Sequence, residues 1–216
     1  RYSRASSAKS RDNDTLNVLL GLRARVMPKT TFLVDYEISD TNYDVDLSKG
    51  GAADTKDNRL LAGITWENTV QTTGKLRLGQ SKRKVDGGKD IDKFTWDLGM
   101  AWKPLVLDTI NINAGARTSD ATLPYTSVEN TNYSVSWTHD WLDRLNTTAN
   151  FDVSTDDYTG IPNRSDDVTT YGVAVNYQMR PWLILNAGIN SSDKDSNISS
   201  FNNKRNVMSI GAQVSL

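Results

Sequence analysis

Apolar side chains occupy every second position along most of this 216-residue chain. In the segment "DKFTWDLGMAWKP", Phe94, Trp96, Leu98, Met100 and Trp102 alternate with polar or small residues. A helix of about 3.6 residues per turn would scatter these five groups around its axis, whereas successive side chains of a β-strand point to opposite faces. The segment is therefore predicted to be a strand of about ten residues with one apolar face.

The same alternation recurs along the chain and predicts eleven strands in total. The other ten apolar faces are Leu16–Val26, Phe32–Ile38, Leu60–Trp66, Leu76–Leu78, Ile110–Ala116, Tyr133–Trp137, Ala149–Val153, Tyr171–Tyr177, Leu183–Ile189 and Met208–Leu216. The opening "RYSRASSAK" is a candidate end of a twelfth strand.

Short and long connections alternate between the predicted strands. The short ones lie at 27–30, 67–74, 103–108, 140–144 and 178–181, and the long ones, rich in Asp, Asn, Ser, Lys and Gly, at 40–57, 84–91, 118–128, 155–165 and 191–205. One end of the predicted sheet therefore carries tight turns and the other carries polar loops.

Aromatic residues gather at the end with the short turns. Trp66, Trp102, Trp137 and Tyr177 each close a strand just before a short turn, at spacings of 36, 35 and 40 residues. This regularity indicates a repeated antiparallel hairpin and an aromatic girdle at one height. Such a girdle, together with alternating strands and unequal loops, is typical of a bacterial outer-membrane β-barrel whose short turns face the periplasm.

The predicted fold is an all-β, closed, antiparallel up-and-down transmembrane barrel that forms a single domain over residues 1–216. About twelve strands are expected in this chain, either closing alone or forming part of a larger barrel. A soluble β-sandwich also alternates, but it has no need of an aromatic row or of unequal connections. The low mean hydropathy of −0.54 and an apolar stretch no longer than 18–22 argue against a transmembrane helix.

The second face of the strands is polar and is predicted to line the lumen. It carries the arginines Arg23, Arg25, Arg59, Arg77, Arg83 and Arg117 and the acids Asp35, Glu37, Asp97 and Asp152. Guanidinium groups bind carboxylate and sulfate oxygens in pairs, so a ladder of arginines would suit an acidic polysaccharide. The alternative is that these arginines pair with neighbouring acids to satisfy their burial.

No catalytic, metal or cofactor site is predicted, and the protein is expected not to be an enzyme. The single histidine, His139, does not share a strand face with Ser134 or Ser136, so it is assigned to the aromatic girdle. The acidic segments at 86–92, 154–158 and 192–197 lack the spacing of a known calcium loop and are assigned to solvated surface. A net charge of −1 without a basic patch argues against a nucleic-acid partner, and the absence of cysteine excludes disulfides.

The last eight residues, "SIGAQVSL", place Gly211, Val214 and Leu216 in a polar–glycine–apolar pattern. This pattern is similar to the carboxy-terminal signal that the bacterial outer-membrane assembly machinery reads on incoming barrels. Leu216 departs from the aromatic residue that usually ends the signal. The lipid bilayer and the assembly machinery are therefore the first expected partners.

Several segments between 58 and 216 resemble the β-barrel porin family of bacterial exopolysaccharide operons. The most specific are "SWTHDW", "DDYTG" and "DSN" followed by "KRN". The resemblance implies an outer-membrane pore that exports a secreted polysaccharide as a passive conduit, with periplasmic export proteins as further partners. Members of that family are usually longer, so additional amino-terminal strands are expected. A general or solute-selective diffusion porin and a barrel that scaffolds a surface assembly remain the alternatives.

Overall fold

The computed structural model describes residues 12–44, 53–67, 71–87, 90–120, 125, 127–160 and 163–215. They form one 11-stranded sheet and a short 3-10 turn at Ser199–Phe201. The strands are β1 (Asn13–Met27), β2 (Thr30–Tyr43), β3 (Thr55–Trp66), β4 (Thr72–Val85), β5 (Ile91–Trp102), β6 (Asp108–Asp120), β7 (Ser127–Leu142), β8 (Leu145–Thr159), β9 (Arg164–Arg180), β10 (Leu183–Ser196) and β11 (Asn203–Val214). The candidate twelfth strand at 1–9 lies outside the described residues. No described helix is long and apolar enough to cross a membrane.

Each strand pairs antiparallel with its neighbours in sequence, in the order β1 to β11. The up-and-down topology and the eleven predicted strands are confirmed. The registers are almost continuous, and each of the shifts, at Arg25/Met27, Asp140/Leu142 and Leu183/Ile184, adjoins a short turn. A long uninterrupted register keeps each strand's alternation in step with that of its neighbours, because a slip of one residue would reverse the two faces.

The strands are longer than predicted, with 12 to 17 residues each instead of about ten. Residues 155–159 and 191–196, which were predicted to be loop, continue β8 and β10. Apolar alternation ends where lipid contact ends, but backbone pairing does not need apolar side chains and can continue into water. Two of the segments predicted as long loops, 155–165 and 191–205, are therefore mostly strand that extends past the apolar band.

Closure of the sheet is not seen among the described strands. No pairing joins β1 to β11, and both strands run in the same direction because an odd number of antiparallel strands separates the two edges. Antiparallel closure therefore requires an odd number of further strands. Twelve strands and a larger even-numbered barrel both meet this requirement.

The outward face carries the predicted apolar residues. Leu22 is 75% exposed and Ile210 is 92% exposed, although both belong to long apolar strand faces. The few buried apolar side chains include Leu33 and Leu61, which lie on the opposite, inward face. A protein surrounded by water would bury the larger apolar face, so this exposure fits a wall that contacts acyl chains.

A carboxylate placed on the outward face is expected to impair insertion. Leu98 faces outward on β5, and Asn113 faces inward on the neighbouring β6, beside Gly99. Leu98→Asp should lower the yield of folded barrel, because a carboxylate in the lipid costs on the order of 2 kcal/mol, whereas Asn113→Asp should be tolerated. The measurement is the folded fraction in outer-membrane preparations, seen as the compact species on unheated gels. Equal yields from the two variants would contradict the assignment of the faces.

Candidate functional site

The inward face of the sheet, here called the lumen wall, has two chemically different parts. Strands β1–β5 carry most of the charged side chains, whereas β6–β11 carry mainly amides and hydroxyls. The inward residues of each strand pair with the inward residues of the next strand. Charged side chains on β1–β5 therefore lie beside one another, and so do the amides and hydroxyls on β6–β11.

The charges on β1–β5 form a connected ion-pair network. Asp35, only 2% exposed, lies 2.6 Å from Arg23 Nη1 and accepts a hydrogen bond from Arg77 Nη1 at 3.1 Å. Arg77 also donates from Nε to Asp97 at 2.8 Å and from Nη1 to Glu37 at 3.4 Å. Arg77 thus joins three carboxylates on two strands, β2 and β5. A half-buried guanidinium that contacts three acids holds these strands together as well as neutralising them.

Two further inward arginines are ion-paired, namely Arg59, which is half-buried, and Arg83, which is buried. Arg59 Nη1 donates to Glu37 at 2.6 Å, and Arg83 Nη2 donates to Asp57 at 2.8 Å. Arg83 is only 2% exposed. Four of the six predicted lumen arginines are therefore ion-paired, which is the structural role that the sequence analysis left open.

Arg117 and Arg25 differ from the other four arginines. Both are exposed, and no carboxylate of the described residues lies within ion-pair distance of either. Arg117 lines an open cavity of about 450 Å³ together with Arg59 and Arg83. Charge at this point of the wall is thus incompletely balanced by the acids nearby, Glu37 and Asp57.

The second part of the wall, β6–β11, presents neutral hydrogen-bonding groups. Asn176 donates to Asn146 at 3.0 Å, and Asn150 donates to the one predicted acid here, Asp152, at 3.2 Å. Thr138 and Thr148 lie 3.0 Å apart through their hydroxyl oxygens. No lysine or arginine of the described residues lies within ion-pair distance of Asp152. This side of the lumen is polar without being strongly charged.

The four residues predicted to form an aromatic girdle lie toward the short-turn end of their strands. Trp102, Trp137 and Tyr177 are exposed on the outward face, and Trp66 is half-buried there. Indole and phenol rings at this height sit at the boundary between acyl chains and head groups. Two further tryptophans, in or beside the same turns, are Trp141 and Trp182.

His139 belongs to this girdle. Its ring centroid lies 4.4 Å from that of Trp141 and 5.8 Å from that of Trp137. Its Nδ1 is 2.7 Å from Asp108 Oδ1, which also accepts a hydrogen bond from Trp137 Nε1 at 2.8 Å. These contacts place His139 among the aromatic residues at this end, with its Nδ1 engaged by Asp108.

A compact cluster of side chains lies on the inward face at the end of the strands opposite the girdle. Arg164 is paired with Asp166 and stacks on the ring of Phe201 at 3.7 Å and on that of Tyr158 at 4.4 Å. Lys194 Nζ lies 2.7 Å from Asp166, which is fully buried. Burial alone would raise the pKa of the Asp166 carboxyl, but hydrogen bonds from Arg164, Lys194 and Ser196 outweigh it and lower that pKa. The cluster lies past the apolar band, since the outward residues beside it are Ser165 and Asp167.

Sequence reasoning missed several charged members of the wall. Asp57 shares a face with Arg59, and Lys75 shares a face with Arg77, with Lys75 Nζ 3.6 Å from Asp97. Both were overlooked because the predicted strands stopped short of them. Extending the alternation by one or two residues at each strand end would have found them. The Asp166 cluster was missed for the same reason, since residue 165 was taken as loop.

Two of the three residues of the predicted assembly signal fall on β11. Gly211 lies on the inward face of β11 opposite Asn186, and Val214 is the last residue of that strand. Leu216 lies outside the described residues. The role of these residues in barrel assembly stays a prediction.

An antiparallel, up-and-down sheet with an apolar outer face, an aromatic girdle and a polar lumen wall defines an outer-membrane β-barrel. Within that class, the chain belongs to the family described as "Putative beta-barrel porin 2", whose model matches residues 3–216. No curated protein matches its sequence.

Solved outer-membrane barrels share this fold. The outer membrane channel DcaP of Acinetobacter baumannii matches with a TM-score of 0.69 and 15% identity, over 92% of this chain and 62% of that one. The siderophore receptor PirA of Pseudomonas aeruginosa matches with a TM-score of 0.61 and 15% identity, over 96% and 40%. The FrpB iron transporter of Neisseria meningitidis (F3-3 variant) matches with a TM-score of 0.61 and 10% identity, over 85% and 36%.

These matches concern architecture, and the chain spans less than two thirds of the length of each barrel. The predicted location in the bacterial outer membrane is confirmed, as is the resemblance to β-barrel porins.

The ion-pair network predicts unequal effects for two arginine substitutions. Arg77→Gln should lower the free energy of unfolding by about 1–3 kcal/mol, because Asp35 and Asp97 lose a charged donor on a half-buried wall. Arg117→Gln removes an exposed guanidinium that has no ion-pair partner among the described residues, and it should change the free energy of unfolding by less than about 0.5 kcal/mol. Denaturant unfolding of the detergent-solubilised barrel measures both. A larger loss from Arg117→Gln would show that the network does not stabilise the wall.

Proposed function

We propose that the protein is a passive outer-membrane conduit for a bacterial exopolysaccharide, with the driving force supplied by synthesis behind it. The observation that carries the proposal is the lumen wall, which is polar along the strands and lined on β6–β11 by amides and hydroxyls. Hydroxyl-rich chains exchange hydrogen bonds readily with such groups. The sequence resemblance to porins of exopolysaccharide operons agrees with this assignment, and expected partners are periplasmic export proteins.

The wall offers little support for a mechanism that depends on strong charge selection. Arg23, Arg59, Arg77 and Arg83 are engaged by carboxylates, so most of their charge is compensated before any substrate enters. Arg117 and Arg25 have no ion-pair partner in the described part of the wall and would give at most a weak preference for anions. A conduit wall that makes many weak contacts and no strong one would let a long chain pass continuously.

A diffusion porin is the second candidate function. It is favoured by membership in a porin family and by the fold shared with DcaP, an outer membrane channel. Such a porin would pass small solutes through the same polar lumen and would have no effect on surface polysaccharide. A barrel that only scaffolds a surface assembly would carry no current at all.

Narrowing the bore tests the conduit directly. Ser136 faces inward on β7 opposite Asn150, whereas its neighbour Val135 faces outward opposite Phe151. Ser136→Trp should reduce both single-channel conductance and surface polysaccharide, because an indole is placed in the path. Val135→Trp, which adds the same ring to the lipid face, is the matched control and should leave both near the original level.

The measurements are planar-bilayer conductance of the purified protein and surface polysaccharide of cells that carry each variant. Reduced conductance with unchanged polysaccharide would assign the protein as a diffusion porin. A parent protein without conductance would point to the scaffold and would overturn the conduit.

A further inference from the structure

Amide side chains on β6–β10 are aligned in a row across the lumen wall. Asn111 pairs with Ser136, Ser136 with Asn150, Asn150 with Gly172, and Gly172 with Asn190. We call this row the amide track. Neighbouring strands lie about 4.8 Å apart, and barrel strands tilt by about 35–45°, so the track climbs the wall obliquely instead of ringing it.

Glycine at the centre of the track lets its amides lie against the wall. A Cβ on Gly172 would come 2.9 Å from the Oδ1 atoms of both Asn150 and Asn190. The same arrangement occurs beside the track, where a Cβ on Gly211 would come 2.6 Å from Asn186 Oδ1. Each amide therefore occupies the space that a neighbouring side chain would fill. The outcome is a shallow surface that offers hydrogen bonds without projecting far into the bore.

Several of these amides retain free hydrogen-bonding capacity. Within the described part of the wall, Asn111, Asn186 and Asn190 make no hydrogen bond to another side chain. An amide has two donor hydrogens and an acceptor oxygen, and a sugar hydroxyl both donates and accepts. The two groups are thus complementary without any ionised atom.

The surroundings of the track favour a neutral ligand over an anionic one. Asp152, the carboxylate next to the track, accepts a hydrogen bond from Asn150 and would repel an acidic chain at that point. The lysines and arginines of β1–β5 are mostly held by their own acids on the other part of the wall. Charge complementarity therefore selects hydroxyl groups at the track.

We propose that the amide track is a binding surface for neutral, hydroxyl-rich saccharide segments, which contact it in succession as they pass. The inference rests on the proposed conduit function and specifies its substrate class. The track lies on β6–β10, whereas most of the arginines predicted to guide an acidic polysaccharide lie on β1–β4.

The test compares oligosaccharide blockades of the reconstituted pore. Maltohexaose is the neutral probe, and a galacturonate hexamer is the anionic probe. In the double variant Asn150→Ala/Asn190→Ala, the residence time of maltohexaose should fall about 3–10-fold, which is the effect of losing one or two hydrogen bonds. Asn206→Ala, on the outward face of β11 opposite Ser191, is the matched control and should block as the parent does.

Gly172→Ala provides a second variant, because it keeps both amides and displaces them. It should shorten maltohexaose residence in the same direction as the double variant. Unchanged residence in the double variant, or a parent pore that holds the galacturonate hexamer longer than maltohexaose, would overturn the track and leave the conduit standing. A parent pore that neither hexamer blocks would overturn the conduit as well.

Discussion

Backbone hydrogen bonding in a solvent that offers no partners is the constraint on which this structure depends. An amide or carbonyl left unpaired in acyl chains costs several kcal/mol, so each strand in the wall must pair along its length. The eleven described strands pair in chain order with few register shifts, and the shortest ladder, between β5 and β6, joins Trp96–Trp102 to Ile110–Ala116. The two edge strands, β1 and β11, are where this requirement is still open, and further antiparallel strands would satisfy it.

Continuous pairing also decides what lines the bore. Once the register is fixed, alternate residues of every strand must face inward together, and charges on that face lie within reach of one another. Arg77 shows the result, because it contacts carboxylates that are 20 to 42 residues away in sequence. On β6–β11 the same alignment brings amides and hydroxyls into rows. The lumen wall is therefore one surface whose charges on β1–β5 are mostly ion-paired and whose strands β6–β11 carry mainly amides and hydroxyls. The proposed passage of a saccharide uses the second part.

The alternation predicted the strands, their outward faces and the girdle, because each of these depends on local periodicity. It also placed His139 correctly, since face parity alone separates it from Ser134 and Ser136. The ion pairs were not predictable in the same way, because they depend on which residue of one strand lies opposite which residue of the next. The strand ends were missed where polar sequence continues the ladder, as at Asp57 and Asp166. The fit of Asn150 and Asn190 around Gly172 depends on the register of three strands. No single segment of the sequence predicts it.

The central claim is that one face of each strand borders water inside a pore and the other borders lipid. Single cysteines test it cleanly, because the chain has none of its own. Cysteines at Ser134 and Ser136 should react rapidly with a charged, water-soluble methanethiosulfonate reagent, and each modification should lower the single-channel current. Cysteines at Tyr133 and Val135, on the alternate face of β7, should stay unreactive and leave the current unchanged. Equal reactivity along all four positions, or modification at Ser136 without any change in current, would contradict the account.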